Sequence, residues 1–311
     1  MTRGRGARRT KRGNGRRGRT GRALRLAATA VVALVVIVFL VVPIGFAAYA
    51  SLPHNRAVGP PPAGFANVSL VTDDGVPLAA WYAPSRNGAA IVLVHGATDS
   101  RENVRAHASL LRDSGFGVLA LDLRGHGMSG GHGNTFGWEG THDVQAAVAY
   151  LQGQDGVRAI GGLGLSLGGE VLLGALNATP ALGAVVSEGA TYRSTAEYLA
   201  LPGLDDLPHS WMPRLIYAAT GLFTGNAPPV PIVDSIAGAP DVRLLLIASG
   251  QEPNEVAYNT RFAAVAGSRA QVWVVPDVGH TGALAGHPDE YGQQVPNFFR
   301  SALLARGLSG S

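Results

Sequence analysis

Between residues 68 and 276 the chain alternates two kinds of apolar pattern. Eight short runs (VSLVT, VPLAAWY, AIVLVHG, FGVLALD, VRAIGGLGL, LGAVVSEG, VRLLLIASG and AQVWVVP) are nearly continuous in hydrophobic residues. Segments near 103–114, 139–151, 167–176, 254–266 and 289–305 instead repeat apolar residues every three or four positions, the period of a helix with one buried face. Continuous apolar strands separated by helices predict an α/β fold: a mostly parallel sheet of eight strands covered by helices on both faces. Asp73-Asp74-Gly75, between the first two runs, is a hairpin signal, so the sheet is expected to begin antiparallel.

Residues 191–235 break this rhythm. They are rich in Pro, Leu, Tyr and Trp and carry no alternating strand, which predicts a small cap inserted between two core strands. Tyr198, Trp211, Met212, Ile216, Tyr217 and Phe223 are its large apolar side chains, suited to lining a pocket for an acyl chain.

A third pattern lies at the N-terminus. From Leu26 to Ala50 there are 25 residues without a charge, β-branched and apolar all round in the middle. At ~1.5 Å per residue such a helix crosses the ~30 Å hydrocarbon layer of a bilayer. Residues 1–25 carry eleven basic residues and no acid, which places the N-terminus in the cytoplasm and everything after Ala50 outside. Ala48-Tyr49-Ala50 also fits the small-x-small pattern of a signal-peptidase site, so secretion after cleavage at Ala50 is the alternative to an uncleaved anchor. Residues 51–64, with Pro53 and GPPPAG, form a stiff linker, and residues 65–311 the globular domain.

Charge changes the picture once. The formal net charge of +4 averages the basic tail with an acidic remainder, since 14 basic and 21 acidic residues follow position 25. The tail therefore reads as a topology signal rather than a nucleic-acid arm, and it has no aromatic residue to stack bases. Cysteine is absent, which excludes disulfides, zinc–thiolate sites and a thiol nucleophile.

The candidate chemistry centres on GLGLSLGGE, residues 162–170, where a single serine sits among four glycines. Gly164-Leu165-Ser166-Leu167-Gly168 is a G-x-S-x-G pattern between a predicted strand and a predicted helix. A serine held on so sharp a turn needs neighbours without β-carbons, and it presents its oxygen at the sheet edge. The Leu167 amide then opens the helix and can face an oxyanion, and the loop after the third strand offers the Ala97 amide as a second donor. A serine hydroxyl needs a base. His280, on the loop PDVGHTG after the last strand, is the first candidate and His287 the second. His95 reads as a structural hydrogen-bonder. His126, His132 and His142 lack the spacing of shared metal ligands, so no metal and no cofactor is expected.

HGA after the third strand, LDLRGHGMSGG (121–131), GLSLGG and the late GH together resemble the α/β-hydrolase superfamily, and within it the monoacylglycerol-lipase and serine-aminopeptidase-like branch of esterases. The resemblance runs from about Val68 to Leu304. It implies a triad in chain order Ser, acid, His, with the acid after the strand that follows the cap. Family members commonly show Gly-x-x-Asp there, whereas this chain has LLLIASGQEPNEV. Glu252 is the expected acid, Glu255 the second choice, and Glu188, after the preceding strand, the third. Asp122 and Arg124 read as a structural pair beside the pocket. The expected activity is hydrolysis of a carboxylic ester, lipid-like or a small acyl ester, through an acyl-enzyme. The alternatives are amide, peptide or thioester cleavage on the same triad, or a catalytically silent, membrane-anchored binding module. Asp205 and Asp206 are the cap acids that could hold a peptide amine.

Overall fold

The computed structural model describes residues 14–134, 136–201 and 207–304, with side chains from residue 21 onward except at 207 and 208. Asp205 and Asp206 lie outside the described residues. Eight strands form one sheet: β1 Ala66–Val71, β2 Pro77–Ala83, β3 Ala89–Val94, β4 Gly117–Leu121, β5 Ala159–Leu165, β6 Leu182–Glu188, β7 Arg243–Ser249 and β8 Ala270–Val275. Their order across the sheet is β8-β7-β6-β5-β3-β4-β2-β1. β1 pairs antiparallel with β2 and β2 antiparallel with β4, and every other pairing is parallel. The hairpin forms at Asp73-Asp74-Gly75, where Gly75 takes φ 84° and Thr72 and Val76 exchange the closing hydrogen bond.

The central strands are buried on both sides, which explains why they read as continuous runs. In β3, Ala90, Val92 and Val94 point into one core layer and Ala89, Ile91 and Leu93 into the other. The first layer is closed by α4 (Gly140–Gln152), α5 (Leu167–Ala175), α8 (Ile232–Ala237) and α9 (Pro253–Ala266). The second is closed by α3 (Arg105–Asp113) and α11 (Pro288–Phe299). Between α5 and α8 the inserted segment contributes α6 (Thr195–Tyr198) and α7 (Leu207–Thr224), and α10 (Ala283–Gly286) follows β8.

The N-terminal apolar segment is one rod in three pieces: α1 (Asn14–Val36), a π-helical turn (Ile37–Val41) and α2 (Val42–Ala50). Pro43 donates no N–H and would crowd the carbonyl one turn back, and the wide turn directly before it relieves that conflict. The stretch Gly21–Ala50 is long and apolar enough to cross a membrane. Its last part does not stand clear of the domain. Pro43, Ala47 and Ala50 are buried, and the Ser51 hydroxyl closes the helix on the Ala47 carbonyl at 2.8 Å. His54-Asn55 then pairs with His126-Gly127 as a two-residue parallel bridge.

Asp122 and Arg124 do not pair with each other, as the sequence suggested. Asp122 is buried against the Arg101 guanidinium, whereas Arg124 reaches Asp143 at 2.7 Å and Asp74 at 2.6 Å.

Candidate active site

Ser166 sits where β5 turns into α5, with φ 52° and ψ −119°, a backbone state that side-chain-bearing residues avoid. Two neighbours make the turn possible by lacking a β-carbon. One on Gly164 would overlap the Gly168 carbonyl group, and one on Gly168 would overlap the backbone carbonyl of Val94 on β3. The strain is held by the sheet: the Ser166 N–H donates to the Glu188 carbonyl at the end of β6, at 2.7 Å. Leu167 is the first residue of α5, so its N–H has no partner within the helix and lies at the helix's positive end.

The loop after β3 closes on this turn from the other side. A β-carbon on Gly96 would stand 3.6 Å from the Ser166 β-carbon, and Ala97 follows it, exposed. His95 fixes that loop. Its Nε2 accepts the Leu123 N–H at 3.1 Å, so Nδ1 carries the proton and donates to the Gly96 carbonyl at 2.7 Å. Complete burial pushes its pKa down to about 4, which keeps the ring neutral.

On the opposite side, the His280 Nδ1 donates to Glu255 Oε1. Glu255 is 3% exposed, and its Oε2 accepts the Ser249 N–H at 2.9 Å, so both carboxylate oxygens are committed. That hydrogen bond raises the His280 pKa above its ordinary value, against the opposing effect of burial. The His280 ring rests on Gly189, whose φ is 76°. A β-carbon there would meet His280 Cε1 at 3.0 Å and Nδ1 at 3.1 Å. Gly189 directly follows Glu188, whose carbonyl holds the Ser166 amide, so the end of β6 supports both halves of the site.

Glu252, the expected acid, is exposed and occupies the N-cap of α9 before Pro253. Glu255 lies one turn further in, on the helix face turned toward the ends of β7 and β8. It is Glu255 that meets the histidine. Glu188 does not face the ring: its Oε1 accepts the Ala283 N–H at 2.9 Å, tying down the loop that carries His280. His287 pairs with Asp277 at 2.6 Å on the surface, away from Ser166. His126 stacks against His54 and His95, His142 bonds Asp73 on the surface, and His132 is exposed, so these three share no centre.

The cap divides by helix face. Tyr217 turns inward and is buried against Phe136, Trp138 and Tyr192, with ring centroids 4.9, 6.2 and 6.5 Å away. Tyr198 packs on Tyr192 at 5.0 Å and its hydroxyl reaches the His209 carbonyl at 3.2 Å. Trp211, Met212 and Phe223 do not line this wall. The Trp211 ring lies 4.5 Å from Phe39 of the N-terminal helix, and Met212 and Phe223 are 39% and 47% exposed. One helix can turn only its Tyr217 and Thr220 face toward the body.

The loop Phe136-Gly137-Trp138 was not anticipated as part of the wall, although two aromatics flanking a glycine in a polar stretch were a visible signal. Gly137 rests on Leu167 and Val171 of α5, which sets Phe136 and Trp138 against the first turns of that helix. Glu170, one turn beyond Ser166, was also missed. It is buried, takes both the N–H and hydroxyl of Thr191 at 2.9 Å, and desolvation pushes its pKa up to about 7.

A serine on a strained strand-to-helix turn, a helix-opening amide directly after it, and a histidine backed by a buried carboxylate are the parts of nucleophilic acyl transfer. Residues 85–228 match the family model described as serine aminopeptidase, S33. The uncharacterised Mycobacterium tuberculosis protein Rv2307c is 31% identical over 225 residues, 70% of this chain and 73% of that one. The chain belongs to the α/β-hydrolases. The Bacillus subtilis protein YqkD, also uncharacterised, is similar to this hydrolase at 32% identity over 110 residues, 35% of this chain and 34% of its own. Among solved structures, the Pyrococcus furiosus esterase Pf2001 superposes on the hydrolase with a TM-score of 0.64 at 22% identity, over 81% of this chain and 98% of that one. The α/β-hydrolase GrgF from Penicillium sp. sh18 does so with a TM-score of 0.61 at 16% identity, over 77% and 99%. At these identities the likeness is one of fold.

Proposed function

We propose that this α/β-hydrolase cleaves carboxylic esters of apolar acyl groups, with Ser166 as nucleophile, His280 as general base and acid, and Glu255 as the residue that orients His280. The observation that carries this reading is the His280–Glu255 pair held on the same strand end that fixes the strained Ser166. His280 Nε2 takes the proton from Ser166 as the serine oxygen bonds the acyl carbon, and the carbonyl electron pair moves onto oxygen. The Ala97 and Leu167 amides face that oxyanion, and such donors are typically worth ~3 kcal/mol each. Collapse expels the alcohol oxygen, which takes the proton from His280. Water then repeats the sequence on the acyl-enzyme and releases the acid.

Among the described residues, the state of the buried and half-buried acids around the cap favours ester over peptide cleavage. A free amine would call for an uncommitted carboxylate. Glu197 gives its two oxygens to the Arg193 and Ile232 amides, at 2.6 and 2.7 Å, and Glu170 is committed to Thr191. The wall of Phe136, Trp138, Tyr192 and Tyr217 suits an acyl chain. The N-terminal helix is read as an uncleaved anchor, with the basic tail in the cytoplasm and the hydrolase domain outside. Burial of Ala47 and Ala50 within the fold favours this over removal of the helix as a signal sequence.

The test is turnover of p-nitrophenyl esters of graded acyl length and labelling by a fluorophosphonate probe, with full-length protein in mild detergent, for wild type and Ser166→Ala. The expected result is labelling and turnover that vanish together in the variant. A folded wild type that neither labels nor turns over any ester would overturn the reading and bring the silent binding module forward.

A further inference from the structure

The N-terminal helix and the cap helix are packed side by side, and this constrains where the membrane can lie. Phe39 stacks on Trp211 near the start of α7, with ring centroids 4.5 Å apart. At the other end, Ala50 borders a small cleft with Thr220 and Thr224 near the end of α7. Residues 39–50 therefore run along α7 in the same direction. Only the thirteen residues 26–38 separate the last basic residue of the tail, Arg25, from this contact.

Thirteen residues of helix rise about 20 Å, and the hydrocarbon layer is about 30 Å thick. The missing ~10 Å, six or seven residues, has to be crossed by the stretch that begins at Phe39, which is already against the cap. We propose that the first turns of α7, held to the anchor through Phe39 and Trp211, lie in the outer leaflet, and that the ester substrate reaches the site from the lipid phase. The proposal rests on the anchored-esterase reading above and adds to it the place from which the substrate comes.

The outward side chains agree with that position. Met212, at 39% exposure, flanks Trp211, and Val38, Leu40 and Val42 on the anchor are 41–53% exposed, so the two helices present one apolar surface. Arg214, the exposed charge on these turns, can carry its head to the phosphates on its long stem. The same seam leads to the nucleophile. Phe46 of the anchor touches Phe136 at 6.2 Å, and the adjacent Gly137 rests on Leu167.

The absence of cysteine makes the test direct. Val35→Cys in the anchor, Met212→Cys in the cap and Val265→Cys on the domain surface are each spin-labelled in the full-length chain. The chains are reconstituted in phosphatidylcholine–phosphatidylglycerol vesicles, and collision with oxygen is compared with collision with a water-soluble nickel chelate. Met212 should behave like Val35, with oxygen favoured several-fold, while Val265 favours nickel. A Met212 label that follows Val265 overturns the proposal. If the Val35 label follows Val265 as well, the anchor reading falls with it.

Wild-type fluorescence in brominated lipid supplies the same answer without a label, because Trp211→Phe should remove most of the quenching; unchanged quenching in that variant overturns the proposal. A long-chain ester diluted with phospholipid at constant bulk concentration should be hydrolysed more slowly. A rate set by bulk concentration alone counts against the lipid-phase route. Failure to turn over soluble esters too would sink the esterase reading, while the labels still report where the cap lies.

Discussion

The two sides of the site are assembled in different ways. The Ser166 side is a local construction: a strand, five residues and a helix, with Gly164 and Gly168 clearing the space that the turn needs. The His280 side is gathered from four elements distant in sequence. Glu188 and Gly189 come from the end of β6, Ser249 from β7, Glu255 from α9, and His280 with Ala283 from the loop after β8. A local construction carries its geometry in consecutive residues, and a gathered one depends on the angle at which separate elements leave the sheet.

The largest expected effect tests the local side. Ser166→Ala removes the nucleophile and should lower kcat by roughly a million-fold, leaving the residual rate that oxyanion donors and binding supply. Steady-state assay on a short soluble ester measures this. A loss of only tenfold would mean that another group is the nucleophile.

The next effect separates two carboxylates three positions apart. Glu255→Gln removes the charge that orients His280 and should cost on the order of 10³–10⁴ in kcat, whereas Glu252→Gln should stay within about threefold of wild type. The pH profile sharpens the contrast. The base works in its neutral form, and the Glu255 hydrogen bond raises the pKa of His280 above its usual value near 6.5, so the wild-type rate should climb through a midpoint above that value. Glu255→Gln should move the midpoint down. The paired, protonated His280 also adds stability that is present below pH 6.5 and fades as pH rises through the raised pKa. Equal losses in the two variants would break the assignment.

The inversion of Glu252 and Glu255 shows where legibility ends. Strand number, sheet order at the antiparallel edge, the Ser166 turn and the His280 loop all follow from patterns within a few residues. The choice between the two glutamates depends on whether α9 begins before or after the acid. Pro253 at the first helical position leaves Glu252 outside as the cap and turns Glu255 back beneath β7. The cap was misread for a related reason. Composition identified its aromatics, but the inward face of α7 was decided by the anchor, which took Trp211 for itself.

A smaller effect is expected at Glu188, which acts on the histidine only through the loop. Glu188→Leu leaves the Ala283 N–H buried without an acceptor, a loss of about 1–3 kcal/mol at that contact. It should lower kcat by about tenfold with KM little changed. Glu188→Gln retains an oxygen for the same N–H and should restore most of the rate. If glutamine fails as leucine does, the negative charge rather than the tether is what the site uses.

The smallest effect on rate is predicted for Glu170, although it lies one turn from Ser166 on the local side. Its carboxyl is fully enclosed and bound to Thr191, and burial raises its pKa from the usual carboxylate range to about 7. A carboxyl whose folded pKa is raised favours the fold while protonated and loses that advantage as pH rises from its unfolded value toward 7. Wild type should therefore lose on the order of 2 kcal/mol of stability across that interval through this one group. Glu170→Gln keeps the oxygen that Thr191 needs and cannot ionise. Its melting temperature at pH 8 should gain on wild type relative to the difference at pH 5, while turnover of short esters stays within a few-fold. A large loss of turnover instead would place Glu170 in the chemistry, and the local side of the site would then extend a full turn further along α5 than the glycine pattern implies.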